Sequence, residues 1–366
     1  MEALWPRLAT GLSDALGRAD NWGLLAIPPW WALLALLTLA VLVPPRLGLA
    51  ALRRKAFLCT YGAAYVALAR DGQFQLPPDP GKSWAPVAKT KRIVFVRHGE
   101  STWNECFNRK LDASWLARLL GALAREAALL LCLDSVFVDS PLSEEGLEQA
   151  RFLERFLDST AGEELRRLCE SAVFASSCLR RAAATALAGF GRFLGGGRPV
   201  WALSCLQEIS RNVDALVLAP PHQPPLLPCP GGPGAGAPPR CLQAAYNLGN
   251  KGLTSHGAQR LNAFCEWVFS ECSPAALQPT VVVFGHSLWF KAFFQVYLPH
   301  TAYHECKHAK IVNCGVVAFD LEQLRVPDSA DAEYRVRPES VVSMYGGFEE
   351  KKVRQWGRTK GGKKRE

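Results

Sequence analysis

The chain has 366 residues, of which 49% are hydrophobic and 20% charged. That excludes a disordered or collagen-like protein and allows one sizeable α/β domain with appendages. A net charge of +9 suits an anionic partner (a phosphorylated substrate, nucleic acid or an acidic membrane) and does not choose among them. The 12 cysteines are scattered: Cys59, Cys106, Cys132, Cys169, Cys178 and Cys205 form no CxxC pair, and Cys306 and His308 have no second ligand pair beside them. A zinc site needs ligands clustered at short spacing, so none is expected, and a core of this size forms without disulfides. Free thiols in a reducing compartment are the expectation.

Residues 1–21 precede the most apolar part of the chain. Residues 22–52 read as a transmembrane anchor, with an organellar targeting segment or a buried docking helix as the alternatives: an apolar run from Trp30 to Val43 is broken only by Thr38 and bracketed by Pro28-Pro29 and Pro44-Pro45. Spanning helices need about 20 residues, and Leu24 to Ile27 bring the run to that length. Trp22, Trp30 and Trp31 suit the membrane interface, and Arg46, Arg53, Arg54 and Lys55 just downstream place the rest of the chain in the cytoplasm. Residues 53–90 read as a linker, Pro-rich from Leu76 to Pro86.

Short apolar runs then alternate with helical patterns. Strands are expected at Arg92–Val96, Ala172–Phe174, Val200–Leu203, Thr280–Phe284 and Val316–Phe319, and helices at Leu147–Leu157, Arg180–Phe193 and Gly257–Phe269. Such alternation predicts a mostly parallel sheet covered by helices, a three-layer α/β/α sandwich over residues 91–325. Insertions interrupt it at 106–135 and 219–240. The first holds an amphipathic helix, Ser114 to Leu133, suited to a core, a lid or a membrane surface. The second is Pro/Gly-rich, and its Gly231-Gly-Pro-Gly-Ala-Gly236 lacks the Lys-Ser/Thr of a P-loop. Residues 326–366 read as a basic tail. Its Lys363 and Lys364 resemble the dilysine retrieval signal of endoplasmic-reticulum membrane proteins.

Three pieces carry chemistry. Arg97-His98-Gly99-Glu100-Ser101-Thr102-Trp103-Asn104 follows directly on a strand, where α/β folds place reactive residues. His286, in Phe284-Gly285-His286-Ser287, has the same setting. Ser177-Cys-Leu-Arg-Arg181-Ala-Ala-Ala-Thr185-Ala186 puts Arg near a helix start. Histidines and arginines at strand ends would converge on one anion pocket.

Together these pieces resemble the histidine phosphatase superfamily, the phosphoglycerate-mutase-like fold. Asp139-Ser-Pro-Leu-Ser-Glu-Glu-Gly-Leu-Glu-Gln-Ala150 matches a further family segment at Leu142, Gly146 and Gln149. The resemblance implies that His98 attacks phosphorus to give a phosphohistidine. Arg97 and Arg181 hold the phosphoryl oxygens, and a protonated His286 adds positive charge. Asn104, Ser101, Gly99 and Ser287 are the expected substrate-binding residues. Glu208, in Leu206-Gln207-Glu208-Ile209-Ser210, has the place of the family's proton donor. Its neighbours Arg211, Asn212 and Asp214 are expected to shape the pocket. No metal or other cofactor is required.

Glycolytic mutases continue the first motif with Asn-Arg-Phe-x-Gly-Trp and place their acid in Glu-Arg-x-Tyr-Gly. Here Asn108-Arg109-Lys110-Leu111 and Glu208-Ile-Ser-Arg211 stand instead. A phosphatase is therefore expected over a mutase, with a catalytically silent membrane adaptor as the remaining alternative. The expected partners are a phosphorylated small molecule, lipid or phosphoprotein and a membrane held through the N-terminal helix, with no nucleic acid. The expected location is a membrane, with the endoplasmic reticulum as a candidate and the catalytic domain facing the cytoplasm.

Overall fold

In this computed structural model the described residues are 50–73, 76, 78–82, 85–109, 113–227, 239–325 and 332–349. Residues 22–49 of the expected anchor, the Gly-rich centre of the second insertion and the dilysine lie outside them. No helix among the described residues is long and apolar enough to cross a membrane.

The chain builds a mixed sheet from β1 (Val87–Arg97), β2 (Val173–Ser177), β3 (Val200–Leu203), β4 (Leu242–Gln243), β5 (Thr280–Gly285), β6 (Val316–Leu324), β7 (Glu333–Val336) and β8 (Val342–Tyr345). The strand order is β4-β3-β2-β5-β1-β6-β7, with β8 also on β6. Strands β1 to β5 pair in parallel, while β6 runs antiparallel to β1, β7 and β8. The described helices are α1 (Ala50–Leu68), α2 (Thr102–Phe107), α3 (Ala113–Ala128), α4 (Glu144–Asp158), α5 (Glu163–Glu170), α6 (Arg180–Leu194), α7 (Gly257–Phe269) and α8 (Ser287–Tyr297).

The apolar strand runs follow from burial on both faces. On β1, Ile93 and Phe95 enter a core with α7 and α8, while Val94 and Val96 enter a second core with α4, α5 and α6. Phe95 stacks on Phe290 at 4.1 Å between ring centroids. Burial also raises the thiols of Cys169, Cys178, Cys205, Cys306 and Cys314 to about 12.

Two domain boundaries differ from the expectation. Residues 50–68 are not anchor end and linker but α1, which packs on the domain with Leu52, Leu58 and Tyr65 buried. Arg54 donates to the carbonyls of Leu218 (3.2 Å) and Ala219 (3.1 Å), and Lys55 pairs with Glu126 at 3.1 Å. These two cations are thus committed to the domain rather than left free to flank a membrane. The expected tail likewise contains structure: β7 and β8 both pair with β6, and Arg335 (2.8 Å) and Arg337 (2.7 Å) tie β7 and the residue after it to Glu322 of β6.

Just beyond α1, buried Asp71 accepts from Arg260 Nη2 at 2.5 Å and Lys251 Nζ at 3.3 Å. Lys251 reaches on to the carbonyls of Glu208 (2.6 Å) and Ser210 (2.5 Å), and Arg260 to that of Gln207. Burial lowers the Lys251 ammonium to about 8. Removing one member of a buried ion pair leaves an uncompensated charge and costs about 3–5 kcal/mol. Asp71→Asn is therefore expected to lower unfolding free energy by about that amount, read as a shift of the urea midpoint with unchanged slope. A shift below about 1 kcal/mol would mean that the cluster is no better than an exposed pair.

Candidate active site

The carboxyl ends of β1, β2, β3 and β5 lie along one edge of the sheet, the edge where open α/β folds bind ligands. Arg97 of β1 pairs in register with Gly285 of β5, and His98 N donates to Gly285 O at 3.0 Å. His98 and His286 therefore leave adjacent strands side by side, with ring centroids 5.0 Å apart.

Hydrogen bonds set the tautomer of His98. Its Nδ1 lies 2.6 Å from the Gly99 carbonyl, which only accepts, so Nδ1 carries the proton. Its Nε2 then has the free lone pair and accepts from Arg181 Nε at 3.3 Å. Burial lowers the imidazole pKa well below its ordinary value, helped by Arg181 and Arg97 and opposed by Gly99 O. The ring is neutral and its Nε2 is nucleophilic.

The loop that carries His98 is fixed from behind. Gly99 N donates to Thr185 Oγ1 (3.1 Å), which donates in turn to Arg181 O (2.9 Å). Glu100 N donates to Gln149 Oε1 at 2.9 Å, and Ser143 caps α4 by accepting from Gly146 N at 3.0 Å. A Cβ on Gly99 would sit 2.3 Å from Gly146 O, and one on Gly146 would sit 1.9 Å from Glu100 O. Only glycine at both positions allows the first motif and the α4 segment to touch. The motif residues Thr185, Gly146 and Gln149 thus position His98 without lining the pocket.

Arg181 Nη1 is held by Asp214 O at 2.7 Å and Nη2 by the Asp214 carboxylate at 3.3 Å. Arg180 is buried and points elsewhere, to Asp134, Ser135 and Asp139. Arg97 Nη1 donates to Ile311 O at 2.5 Å and to Glu349 Oε1 at 2.6 Å, while its Nε is buried without a partner. Glu208 lies against the start of α8, where Trp289 N donates to it at 2.9 Å. Burial raises its carboxyl pKa against the pull of Arg181 and the Leu288 and Trp289 amides. Together these groups line a cavity of about 190 Å³ with Asn104, Asn108, Ser210, Asn212, Ser287 and Lys310. A larger hollow of about 520 Å³, lined by Asn262, Glu266 and Tyr334 among others, has no basic side chain to hold an anion.

Of the residues expected at the site, His98, Arg97, Arg181, Glu208, Asn104 and Ser287 line this cavity, and His286 adjoins it. Ser101 does not line it: it is buried as the N-cap of α2, its Oγ accepting from Asn104 N at 3.2 Å. Gly99 serves as hinge and hydrogen-bond partner rather than as a lining residue. His286 also departs from expectation. Among the described residues no carboxylate pairs with it, and burial, with Arg181 and His98 next, pushes its pKa well below the ordinary value. It is neutral here, with both ring nitrogens buried and unpartnered. Buried polar groups are ordinarily satisfied, so such a ring suits an oxygen-rich ligand. Asp71, Lys251, Lys310 and Glu349 carried no local motif that would have marked them.

No family model and no curated protein matches the chain. The solved structures to which it is similar belong to the histidine phosphatase superfamily. A mycobacterial glucosyl-3-phosphoglycerate phosphatase in complex with VO3 is 15% identical, covering 68% of this chain and 98% of that one at a TM-score of 0.34. Ecdysone phosphate phosphatase from Bombyx mori, in complex with tungstate, is 13% identical over 68% and 92%, at 0.32. Phosphoserine phosphatase from Entamoeba histolytica, in complex with 3-phosphoglyceric acid, is 15% identical over 62% and 89%, at 0.28. At these scores the likeness carries no argument about activity, which rests on the residues of this chain.

Glu349 is half-exposed and competes for Arg97 with any incoming anion. Exposed pairs contribute up to about 1 kcal/mol. Glu349→Gln is expected to tighten inorganic phosphate binding by about 2- to 5-fold, measured as its competitive inhibition constant. Weaker binding in the variant would mean that Glu349 orients Arg97 rather than opposing the ligand.

Proposed function

We propose that this chain is a histidine phosphatase, hydrolysing a phosphomonoester through a phosphohistidine on His98. The observation that carries the reading is a neutral His98 imidazole on the cavity wall: its Nδ1–H donates to Gly99 O, its Nε2 carries the lone pair and accepts from Arg181 Nε, and Arg97, Arg181 and a protonatable Glu208 line the same cavity.

In the first half-reaction the Nε2 lone pair forms the bond to phosphorus as the bond to the leaving oxygen breaks. Glu208, protonated, gives its proton to that oxygen. Arg97 and Arg181 neutralise the equatorial oxygens through charge-assisted hydrogen bonds, and His286 donates a further one. The phosphorylated ring becomes cationic, and its Nδ1–H remains on the Gly99 carbonyl. In the second half-reaction the Glu208 carboxylate takes a proton from water as the water oxygen attacks phosphorus. The P–N bond breaks, and phosphate leaves.

Hydrolysis is favoured over mutase chemistry by Arg109. Its guanidinium is spent on Glu100, at 2.9 Å from Nε and 2.5 Å from Nη2, and so does not read a substrate carboxylate. Residues 22–49 we propose as a membrane attachment with the domain on the cytoplasmic side, supported by the apolar run 30–43 and by Arg46 after it.

The first test is phosphate release from p-nitrophenyl phosphate and a panel of phosphorylated metabolites, beside His98→Ala. The expected result is turnover in the parent, its loss in the variant, and an acid-labile phosphoryl label on the parent alone. A folded parent with no turnover on any substrate would instead favour the adaptor.

Glu208 gives a sharper expectation. Proton donation is worth about 10²- to 10⁴-fold. Glu208→Gln should lower kcat on an alkyl phosphate by about that range and far less on p-nitrophenyl phosphate, whose leaving group needs no proton. The parent's kcat/KM on alkyl phosphates should fall as pH rises through the raised Glu208 pKa. Because the His98 pKa is depressed, the nucleophile stays neutral on the acidic side. An alkaline limb that survives in Glu208→Gln would assign it to another group.

A further inference from the structure

Helix α3 is mounted the wrong way round for a surface helix. Ordinarily the apolar stripe at i, i+4, i+7 faces the core and the charges face water. Here Leu116 (54%), Leu120 (56%) and Leu123 (49%) point outward, followed by Leu130 (43%) and Leu131 (60%) in the turns after the helix. Ala117, Ala124, Ala127 and Ala128 are exposed with them, and a Cβ on Gly121 would meet nothing within 4 Å. Only Ala122 is fully buried.

The helix meets the domain through Ala122 and Leu129 and through an inward carboxylate. Glu126 accepts from Ser135 Oγ (2.8 Å), Val136 N (2.6 Å) and Lys55 Nζ (3.1 Å). Apolar side chains turned outward while a carboxylate is turned inward is the arrangement expected when the outer medium is not water.

The covering medium is indicated by where the rest of the chain arrives. Lys55 of α1 bonds both Glu126 and, at 2.8 Å, Leu129 O at the end of α3. It lies five residues past Ala50, about 8 Å of helix. The stretch that leads into Ala50 carries the apolar run 30–43. The apolar run thus precedes, in sequence, the helix whose Lys55 holds the end of α3. Phe57, 53% exposed, lies on the same entering helix.

We infer that the outer face of α3 is a lipid-contacting surface, lying in the plane of the bilayer at the boundary of headgroups and acyl chains. The inference rests on the proposed attachment by residues 22–49 and is independent of catalysis. Helix α3 also packs on α2 through Cys106, Ala122 and Val136, and α2 carries Asn104 of the pocket wall. A bilayer against α3 therefore brings the phosphate pocket close to the lipid surface.

The test uses the full chain in phosphatidylcholine vesicles with Leu120 replaced by p-benzoylphenylalanine. The control has the same replacement at Leu277, 92% exposed before β5 at the opposite end of the sheet. A far-ultraviolet circular dichroism spectrum and thermal midpoint matching the parent's establish that each labelled protein is folded, and flotation with vesicles reads the attachment separately. After irradiation, a lipid adduct at position 120 and its absence at position 277 are expected. Flotation without a lipid adduct at 120 overturns the inference and leaves the attachment standing. So does an adduct to residues 22–49 of the same chain or to a second copy. Failure to float overturns the attachment and the inference with it.

Discussion

The pairing of β1 with β5 in one register is the constraint from which the site follows. It sets Arg97 opposite Gly285, so His98 and His286 leave adjacent strands together and their rings meet. A shift of one residue would turn each side chain to the other face of the sheet and separate the rings. The register is fixed by burial on both sides: Phe95 and Val283 in one core, Val94 and Phe284 in the other. A catalytic distance is thus held by hydrophobic packing far stiffer than any loop.

Around this pair, charge is distributed unevenly. The cavity gathers guanidinium groups, and among the described residues the carboxylates paired with Arg97 and Arg181 are Glu349 and Asp214. Low dielectric keeps both imidazoles neutral and raises Glu208 toward its acid form. Arginine remains ionised in such surroundings, which is why the anion-holding work falls to it rather than to histidine. The clamp of Asp71, Lys251 and Arg260 then fixes the backbone of the Glu208 loop, so the acid is held by residues that never meet the ligand.

Much of this was legible in the sequence because the chemistry sits in local motifs directly after apolar runs. Arg97-His98 and His286 follow β1 and β5, and the helix Gly257–Phe269 was read at its observed bounds. What was missed depends on distant partners. Asp71 looks like a linker residue until folding brings Lys251 and Arg260 to it. Helix α1 was read as linker because Arg54 and Lys55 resemble membrane-flanking charges, and their partners lie far along the chain. The charge state of His286 was misjudged because sequence shows the neighbouring arginines but not the loss of water.

The buried cysteines have a consequence for chemistry under oxidative stress. Peroxide attacks thiolates, and thiols raised to about 12 stay protonated at neutral pH. None of the five lines the cavity, and the nucleophile proposed there is nitrogen rather than sulfur. On that proposal the site would hold no reactive cysteine for an oxidant to silence.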